Sequence, residues 1–456
     1  MTHSISRRAA VKRLGALGLS VTGAGLAAGL GLVSRASLAA SDDYRVLVVV
    51  HLQGGHDGHD VLIPTDGAYL DYAKVRGDLA LAKDSLIALN GNSAGHTFAL
   101  PPALKSLAPL YNTGRLAMVA NVGALIKPVR AVDVAAQAAL VPPFLFSHSD
   151  QTAYIQGWMG DADPSGWAGR AVELMPAALR KTMPVISYAW DSTLVLGRTS
   201  RFAQAQAGGG QYWGASDLNQ PHDVSTSALQ ALGNLQSNNL YEAEYARTFR
   251  ATFQDATALS LASAKAGVPA GNFGSDSLAT DLRHVASMLP VFKAQGVRRQ
   301  VILVSLGRFD THVTQRGSSE FSLDTQLAIV GPALAAFDTA IRAAGLDQNV
   351  VTLTMSEFGR TLLPTATGTD HAWGNNWLLM GGLVQGGQVL GTLPSLVLGG
   401  PDDGDPYKKG RWVPTTSSDQ VGATLMQWLG LPSEQLLAAF PNLSNFAQKT
   451  LPLLRA

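Results

Sequence analysis

The stretch YRVLVVVHLQGGHDGHDVLIP, residues 44–64, predicts the strand around which the fold is built. Residues 45–52 are almost all aliphatic or β-branched, which is typical of a strand buried on both faces of a parallel sheet. Three glycines, two histidines and two aspartates follow within eight residues. Open α/β sheets place their sites at the carboxyl ends of strands, so this polar turn is a candidate site. An ordinary turn, in which Asp57 caps the next element and the histidines are solvated, explains the stretch equally well.

The composition indicates a large globular protein and narrows the available chemistry. Of 456 residues, 46% are hydrophobic and 15% are charged, which is ample for a large core. The formal net charge of +1 and the lack of a basic run after residue 40 argue against a nucleic-acid partner. The sequence has no cysteine, which excludes disulfides, thiolate zinc sites and a cysteine nucleophile. The glycine spacing at residues 54–58 fits neither a dinucleotide fingerprint nor a P-loop, so side chains must carry any chemistry there.

Residues 1–40 are predicted to be a twin-arginine export signal. Arg7 and Arg8 precede a run rich in alanine, glycine and leucine at residues 14–33, and small residues follow at 37–39. The prediction implies a periplasmic or secreted protein, with the twin-arginine export machinery as a partner and no stable membrane span after cleavage. An uncleaved membrane anchor is the alternative, because the run is about long enough to span a bilayer.

The remaining chain alternates between strand and helix patterns. Apolar runs at residues 116–122, 300–306 and 350–355 predict buried strands, and amphipathic patterns at 278–293 and 322–344 predict helices between them. This alternation is typical of an α/β fold with a mostly parallel sheet. We expect a single domain over residues 41–456, with a helical lid inserted at about residues 197–272. Residues 365–377 are predicted to be a loop.

Carboxylate and imidazole groups recur at the predicted strand ends and in the glycine-rich loops. The candidate metal ligands are Asp57, Asp310, His312, Glu357, Asp370 and His371. This mixture of oxygen and imidazole donors suits one or two divalent ions, with zinc, manganese, magnesium and calcium all compatible. If residues 310–312 are extended, Asp310 and His312 lie on one face and form a chelating pair.

Each candidate also has an ordinary explanation when it is taken alone. An Asp-x-His pair is common by chance, and the adjacent Asp370 and His371 can simply form a turn. Glu357 can form an ion pair with Arg360, and Ser147 can cap a helix. The prediction of a metal site therefore depends on the combination of these residues.

Six motifs in this order resemble the domain of unknown function 1501 family, whose members are exported, usually through the twin-arginine route. The motifs are GGHDG at 54–58, LFSHSDQ at 145–151, FDTH at 309–312, SEFGRTL at 356–362, GTDHAWGNNWLLMGG at 368–382 and GRWVPTTSSDQVGATLMQWLG at 410–430. The resemblance extends from about residue 44 to the end of the closing helix.

That family is in turn similar to the alkaline phosphatase and sulfatase superfamily, which implies a three-layer α/β/α sandwich. Members hold two divalent metals around a serine, threonine or modified cysteine nucleophile. By this resemblance, Asp57 matches the metal ligand after the first strand. Asp310 and His312 match a later acid and imidazole pair, and Ser147 falls roughly at the nucleophile position.

The resemblance also assigns the last strand ends. Glu357 matches a strand-end carboxylate and His371 the last imidazole ligand, while Asp370 is either a ligand or a residue that orients His371. The superfamily usually has an Asp-His pair where this chain has Glu357-Phe358, so one imidazole ligand is missing there.

The function expected from the sequence is exported metal-dependent hydrolysis of small anionic phosphate or sulfate esters. Ser147 or a water molecule would be the metal-activated nucleophile, with His148 as general acid or base and Arg360 as a clamp on the anionic oxygens. The alternative is a non-catalytic export, surface-assembly or binding protein on the same fold, which the missing imidazole favours. A metal-independent serine hydrolase is disfavoured, because Ser147 lies in no Gly-x-Ser-x-Gly elbow.

Overall fold

The computed structural model describes residues 43–134, 140–157, 159–160, 162–181, 183–190, 193–207 and 224–455. The predicted export signal at residues 1–40 lies outside these ranges. Residues Tyr44–Ala456 form one compact unit. Within the described ranges, every helix is too short or too polar to cross a lipid bilayer.

The elements found in the described ranges follow the alternation that the sequence predicts. The strands are β1 Arg45–Leu52, β2 Ile63–Pro64, β3 Ile87–Ala88, β4 Phe98–Leu100, β5 Leu116–Gly123, β6 Val185–Ser187, β7 Ala203–Gln204, β8 Arg299–Leu306, β9 Val350–Met355, β10 Arg360–Thr365, β11 Gly368–His371, β12 Asn375–Gly381, β13 Val389–Leu390 and β14 Thr416–Ser417. The α-helices are α1 Ala68–Arg76, α2 Ala108–Asn112, α3 Ala131–Val134, α4 His148–Ile155, α5 Trp167–Leu174, α6 Val224–Gly233, α7 Leu240–Ser263, α8 Ser277–Ala294, α9 Leu323–Ala343, α10 Ser418–Leu429 and α11 Leu436–Ala439. The 3-10 helices are Gly58–Asp60, Gly77–Leu79, Lys83–Ser85, Pro102–Leu107, Thr193–Val195, Ser433–Gln435 and Pro441–Asn445.

β1 lies inside the main sheet, whose order is β13-β5-β12-β9-β1-β8-β6-β7, with β14 also paired to β5. β1 pairs in parallel with β8 on one side and with β9 on the other. β12 is antiparallel to both β9 and β5, while the other described pairs in this sheet are parallel. The carboxyl ends of β1, β5, β8 and β9 therefore share one edge of the sheet. The predicted mostly parallel α/β fold is confirmed.

The two faces of the sheet carry separate hydrophobic cores, as a three-layer arrangement requires. Val46, Val48 and Val50 of β1 pack in a core with residues of α8 and α9. Leu47 and Val49, which point to the opposite face, pack in a second core with residues of α5 and α10. Complete burial of such side chains contributes about 1.5–3 kcal/mol each. The apolar run at residues 46–50 of β1 thus reflects burial on both faces.

The chain leaves β1 through a turn that requires glycine. Gly54 has a φ of 117°, and a Cβ on it would lie 2.4 Å from the backbone nitrogen of Asp310. The loops after β1 and β8 can approach each other this closely only because Gly54 has no side chain. This contact brings two loops together at the carboxyl edge of the sheet.

Two helices, α6 and α7, lie within the segment predicted to be a lid at residues 197–272. Residues 208–223 of this segment fall outside the described ranges. Its function as a lid stays a prediction.

Candidate metal centre

Four side chains from separate parts of the chain meet at the carboxyl edge of the sheet. His148 is the first residue of α4, and Asp310 and His312 follow β8. His371 is the last residue of β11, which pairs with β10 in a hairpin where the sequence predicted a loop. The hairpin fixes the backbone of His371 by cross-strand pairing with Arg360, and so holds its ring in the cluster.

The ligating atoms of these four side chains lie close together. The Nε2 atom of His371 is 3.1 Å from Nε2 of His148 and 2.9 Å from Nε2 of His312. The Asp310 carboxylate lies 3.2 Å from His371, 3.1 Å from His312 and 3.3 Å from His148. Ligands about 2.0–2.1 Å from a tetrahedral zinc ion are separated by about 3.3 Å from one another. The spacing of the cluster therefore fits a single divalent ion.

Two of the imidazole rings are oriented by hydrogen bonds on their far side. The Nδ1 atom of His371 donates to the carbonyl oxygen of Phe146 at 2.7 Å, and Nδ1 of His148 donates to Glu357 at 3.0 Å. In a neutral ring this arrangement places the lone pair on Nε2, which faces the cluster. Metal-bound histidines are usually held in this way by a carboxylate or a carbonyl.

Glu357 is itself fixed from several directions. Its side chain is only 3% exposed and accepts hydrogen bonds from the backbone nitrogen of Gly54 at 2.7 Å and the hydroxyl of Ser356 at 3.1 Å. Burial raises the pKa of Glu357, but the hydrogen bond with His148 and the imidazole of His51 at 3.6 Å outweigh burial and hold that pKa far below its usual range. The sequence predicted Glu357 as a metal ligand. In the structure its carboxylate contacts Nδ1 of His148 and so reaches the cluster through that ring.

The candidate ligands divide into two overlapping groups that share His371. One group is His148, Asp310 and His371, and the other is His312, Asp370 and His371. Because Nδ1 of His371 carries a hydrogen, the ring has one lone pair to offer and binds one ion at a time. The donor set therefore fits one ion better than two.

Asp370 is occupied by two cationic side chains. Its Oδ2 atom lies 2.9 Å from the Arg411 guanidinium and 3.6 Å from the Lys409 ammonium, and Oδ1 accepts the backbone N–H of His371. Although burial raises the pKa of Asp370, the His371 backbone and Arg411 lower it below its ordinary value. These contacts favour the group that contains His148.

Arg360 is fully buried and directs its guanidinium at Asp310. Its Nη1 atom is 2.8 Å from Asp310 Oδ1, and Nη2 donates to the carbonyl oxygen of Thr369. Burial raises the pKa of Asp310, but its contacts with His148 and His371 and the charge of Arg360 hold that pKa far below its usual range. Arg360, predicted to clamp a substrate anion, is already bound to protein oxygens and positions Asp310.

Ser147 caps the amino terminus of α4, which is the structural role that the sequence allowed for it. Its hydroxyl accepts a hydrogen bond from the backbone nitrogen of Asp150 and donates one to the Asp150 carboxylate. This cap fixes the start of the helix and hence the position of His148. Ser147 directly precedes the candidate ligand His148 in sequence. The function of its hydroxyl as a nucleophile stays a prediction.

Asp57 is not brought into either group of candidate ligands. It is fully buried, and its carboxylate contacts Arg76 at 2.7 Å and the side-chain amide of Gln315 at 2.8 Å. Burial raises the pKa of Asp57, but Arg76 and His59 outweigh burial and lower it. In the structure Asp57 belongs to a buried ion-pair network that joins α1 to the loop after β8.

Four non-glycine residues in the loops before α4 and after β8, beside the cluster, have left-handed backbone conformations. The φ angles are 52° for Phe144, 75° for Phe146, 74° for Arg308 and 53° for Thr314. Such conformations cost of order 1–3 kcal/mol each and concentrate at functional sites. At Phe146 the conformation accompanies the carbonyl contact to His371, a feature without a sequence signal.

A family model described as "Protein of unknown function (DUF1501)" matches residues 92–441. The chain belongs to the DUF1501 family. The resemblance read from the sequence is confirmed over these residues, while the motif at 54–58 lies before the matched segment. A comparison of this DUF1501 chain with curated proteins found no match.

Several solved structures show a distant likeness to this DUF1501 chain. The lipoteichoic acid synthase LtaP from Listeria monocytogenes is 8% identical, with 86% of this chain and 73% of that chain covered and a TM-score of 0.34. A phosphonate monoester hydrolase from Silicibacter pomeroyi is 10% identical, with coverages of 85% and 74% and a TM-score of 0.30. A 2-O GAG sulfatase is 10% identical, with coverages of 90% and 76% and a TM-score of 0.27. At sequence identities and TM-scores this low, the activity or substrate of these proteins cannot be assigned to this chain.

Proposed function

We propose that this protein is a metal-dependent hydrolase of phosphate or sulfate esters, with one divalent ion bound by His148, Asp310 and His371. The main support is the convergence of these donors at a solvent-accessible edge of the sheet. The side chains of His148 and Asp310 are 36% and 43% exposed, so a substrate can reach the centre. Three protein donors leave one position of a tetrahedral ion open, as catalytic zinc sites do.

The protein residues around this centre have complementary roles in the proposal. A bound ion would polarise the ester and help to activate water. Glu357 orients His148, and Arg360 orients Asp310, through the hydrogen bonds at 3.0 and 2.8 Å. The nucleophile is water, because the hydroxyl of Ser147 is engaged in capping α4.

His312 is the proposed general base. Its ring is 44% exposed and lies 3.1 Å from Asp310, at the rim of the cluster. Burial and the neighbouring Arg360 lower the pKa of His312, which keeps the ring neutral near pH 7 and able to accept a proton from water. The sequence-based roles of His148 and His312 are exchanged in this proposal, because only His148 has Glu357 on its far nitrogen.

The charges around the centre support an anionic substrate. The carboxylates of Asp310, Glu357 and Asp370 are balanced by the cations of Arg360, Lys409 and Arg411. Asp405 also pairs with Arg411, so with a divalent ion bound the centre carries a net charge of about +1, which attracts a phosphate or sulfate ester. Export through the twin-arginine machinery to the periplasm or the exterior is part of the same proposal and rests on residues 1–40.

The test combines metal content with turnover in the mature protein, purified without chelator or nickel resin. We expect about one equivalent of a divalent ion and hydrolysis of p-nitrophenyl phosphate, bis-p-nitrophenyl phosphate or p-nitrophenyl sulfate in proportion to metal content. The neutral ester p-nitrophenyl acetate is the control for substrate charge. A fully loaded protein that cleaves none of the anionic esters would overturn the proposal.

A non-catalytic assembly or binding protein is the second candidate function. It is favoured by the internal use of Ser147 and Arg360, the two side chains predicted to attack and clamp a substrate. Binding of His312 as a fourth donor would also close the coordination sphere, as in structural zinc sites. Full metal occupancy, a metal-dependent melting temperature and no turnover would together support this alternative.

A further inference from the structure

A cavity of about 470 Å³ lies at the carboxyl end of α4, the helix that begins with His148. This volume lies in the usual range for small-molecule sites, roughly 300–1,000 Å³. The apolar part of its wall includes Leu125, Ile126, Pro143, Tyr154, Phe440 and Pro441. Neither the candidate metal ligands nor the proposed general base lines this cavity.

Asp419 places a buried carboxylate in the wall of this cavity. It is 7% exposed and lies in the first turn of α10. Within the described part of the chain, its carboxylate accepts a single side-chain hydrogen bond, from Asn442 at 3.2 Å, and the guanidinium of Arg170 acts on it electrostatically without an ion pair. A buried carboxylate with one neutral partner retains unused acceptor capacity. Burial raises the pKa of Asp419 to about 6, in keeping with this environment.

Arg170, the cation in the cavity wall, is already bound to protein oxygens. It is 2% exposed, and its Nη1 atom donates to the carbonyl and hydroxyl oxygens of Ser165. Its Nε and Nη2 atoms donate to the carbonyl oxygen of Ala439 at 3.3 and 3.1 Å. An anion could engage this guanidinium fully only by breaking those bonds. The hydrogen-bond donors of Arg170 are therefore largely used within the protein.

We propose that this cavity binds an organic cation, in which a primary ammonium group donates to Asp419 and an apolar body lies against Tyr154 and Phe440. The ammonium supplies a direct charged hydrogen-bond partner, which Asp419 does not have from Asn442 or from the guanidinium of Arg170 beyond ion-pair distance. The aromatic rings attract the cation through their faces and bury the apolar body. This binding site is independent of the hydrolase proposal and of any ion at the metal centre.

The test is isothermal titration calorimetry at pH 7.5 on the mature protein, with three probes that share one ring and differ in charge. Phenethylamine is the cation, 2-phenylethanol the neutral analogue and phenylacetate the anion. We expect phenethylamine to bind most tightly, and Asp419→Asn to weaken its binding about tenfold or more while leaving 2-phenylethanol unchanged. Asp71→Asn is the matched control, because it removes an exposed carboxylate from α1 and should change nothing.

Three results would overturn the assignment. They are preferential binding of phenylacetate, equal binding of phenethylamine to the native and Asp419→Asn proteins, and no binding of phenethylamine at all. The melting temperature of Asp419→Asn shows that the variant is folded. Metal content and ester turnover are measured on the same variant and should be unchanged, so a failure here is distinguishable from a failure of the hydrolase proposal.

Discussion

Among single side chains, Glu357 has contacts that link the sheet to the proposed metal centre. Its carboxylate accepts a hydrogen bond from the backbone nitrogen of Gly54 and another from Nδ1 of His148 at 3.0 Å. Glu357→Gln keeps an oxygen for these donors but removes the charge that strengthens the hydrogen bond to His148. We expect metal affinity to fall about 10- to 100-fold with the fold retained.

The affinity is measured by competition with a chromogenic chelator, with Glu434→Gln as the control because Glu434 is exposed in a different part of the chain. An unchanged affinity in Glu357→Gln would show that the orientation of His148 does not depend on this carboxylate. A loss of the folded state in circular dichroism would make Glu357 a structural residue instead.

The buried carboxylate of Asp419 should make stability depend on pH in an unusual direction. Its pKa rises from 3.8 to about 6 on burial, so the native state holds more protons than the unfolded chain between these values. Stability should therefore fall as pH rises through this window, by roughly 3 kcal/mol in total. Asp419→Asn should be more stable than the native protein at pH 8, and the difference should disappear near pH 4.

Urea unfolding at both pH values measures this difference as a change in the free energy of unfolding. The Asp71→Asn control should show no comparable gain at pH 8. Equal stability of Asp419→Asn and the native protein at pH 8 would mean that the carboxylate carries little desolvation cost.

The sequence predicted which residues could serve the site better than it predicted their roles. Asp310, His312 and His371 were predicted as ligands and lie together, since the loop after β8 and the β10–β11 hairpin after β9 start from the same edge of the main sheet. Asp57 was predicted from the same logic, but its carboxylate is bound by Arg76, 19 residues further along the chain. No local sequence pattern indicates that Arg76, at the end of α1, will place its buried guanidinium against the turn that contains Asp57.

At the level of elements, the junction between β1 and the loop after β8 determines where Asp310 lies. A Cβ on Gly54 would meet the Asp310 backbone nitrogen at 2.4 Å, and the φ of 117° is itself unfavourable for alanine. Gly54→Ala should therefore destabilise the protein by several kcal/mol and reduce metal occupancy, because the loop that carries Asp310 must shift. Thermal unfolding and metal content are measured together.

Gly67→Ala is the matched control for this substitution. Gly67 precedes α1 with a φ of −59°, and a Cβ there has no neighbouring atom within 4 Å. This variant should keep both its melting temperature and its metal. If Gly54→Ala behaved in the same way, the close approach of the two loops would not position Asp310.

Some elements could be predicted from periodicity and others could not. β1, β8 and β9 are apolar because both faces of the sheet are covered, and that pattern is visible in the sequence. The antiparallel direction of β12 and the hairpin of β10 with β11 depend on pairing between distant strands, which hydrophobic pattern does not encode. His371 was therefore found as a residue, but the strand that holds it was predicted as a loop.

For the whole molecule, the parallel sheet explains why three segments that are far apart in sequence, at positions 148, 310–312 and 371, meet at one place. Carboxyl ends of parallel strands share one edge, and the loops that follow them converge there. An ion bound at that edge would join the segment that begins α4 to the loop after β8 and to the β10–β11 hairpin. Since the unfolded chain cannot gather these donors, such an ion would stabilise the whole folded unit.

Chelation should consequently lower the global stability of the metal-loaded protein. At a free ion concentration of roughly 1,000 times the dissociation constant, a bound ion contributes about 4 kcal/mol to the free energy of unfolding. We expect excess EDTA to lower the melting temperature by several degrees and added zinc to restore it.

His371→Ala removes the donor shared by both candidate groups, so its melting temperature should be lower from the start and insensitive to EDTA. His96→Ala is the control, because His96 pairs with Asp66 away from the centre and its variant should respond to EDTA like the native protein. A native protein whose melting temperature is the same with and without EDTA would contradict an ion at this edge of the sheet.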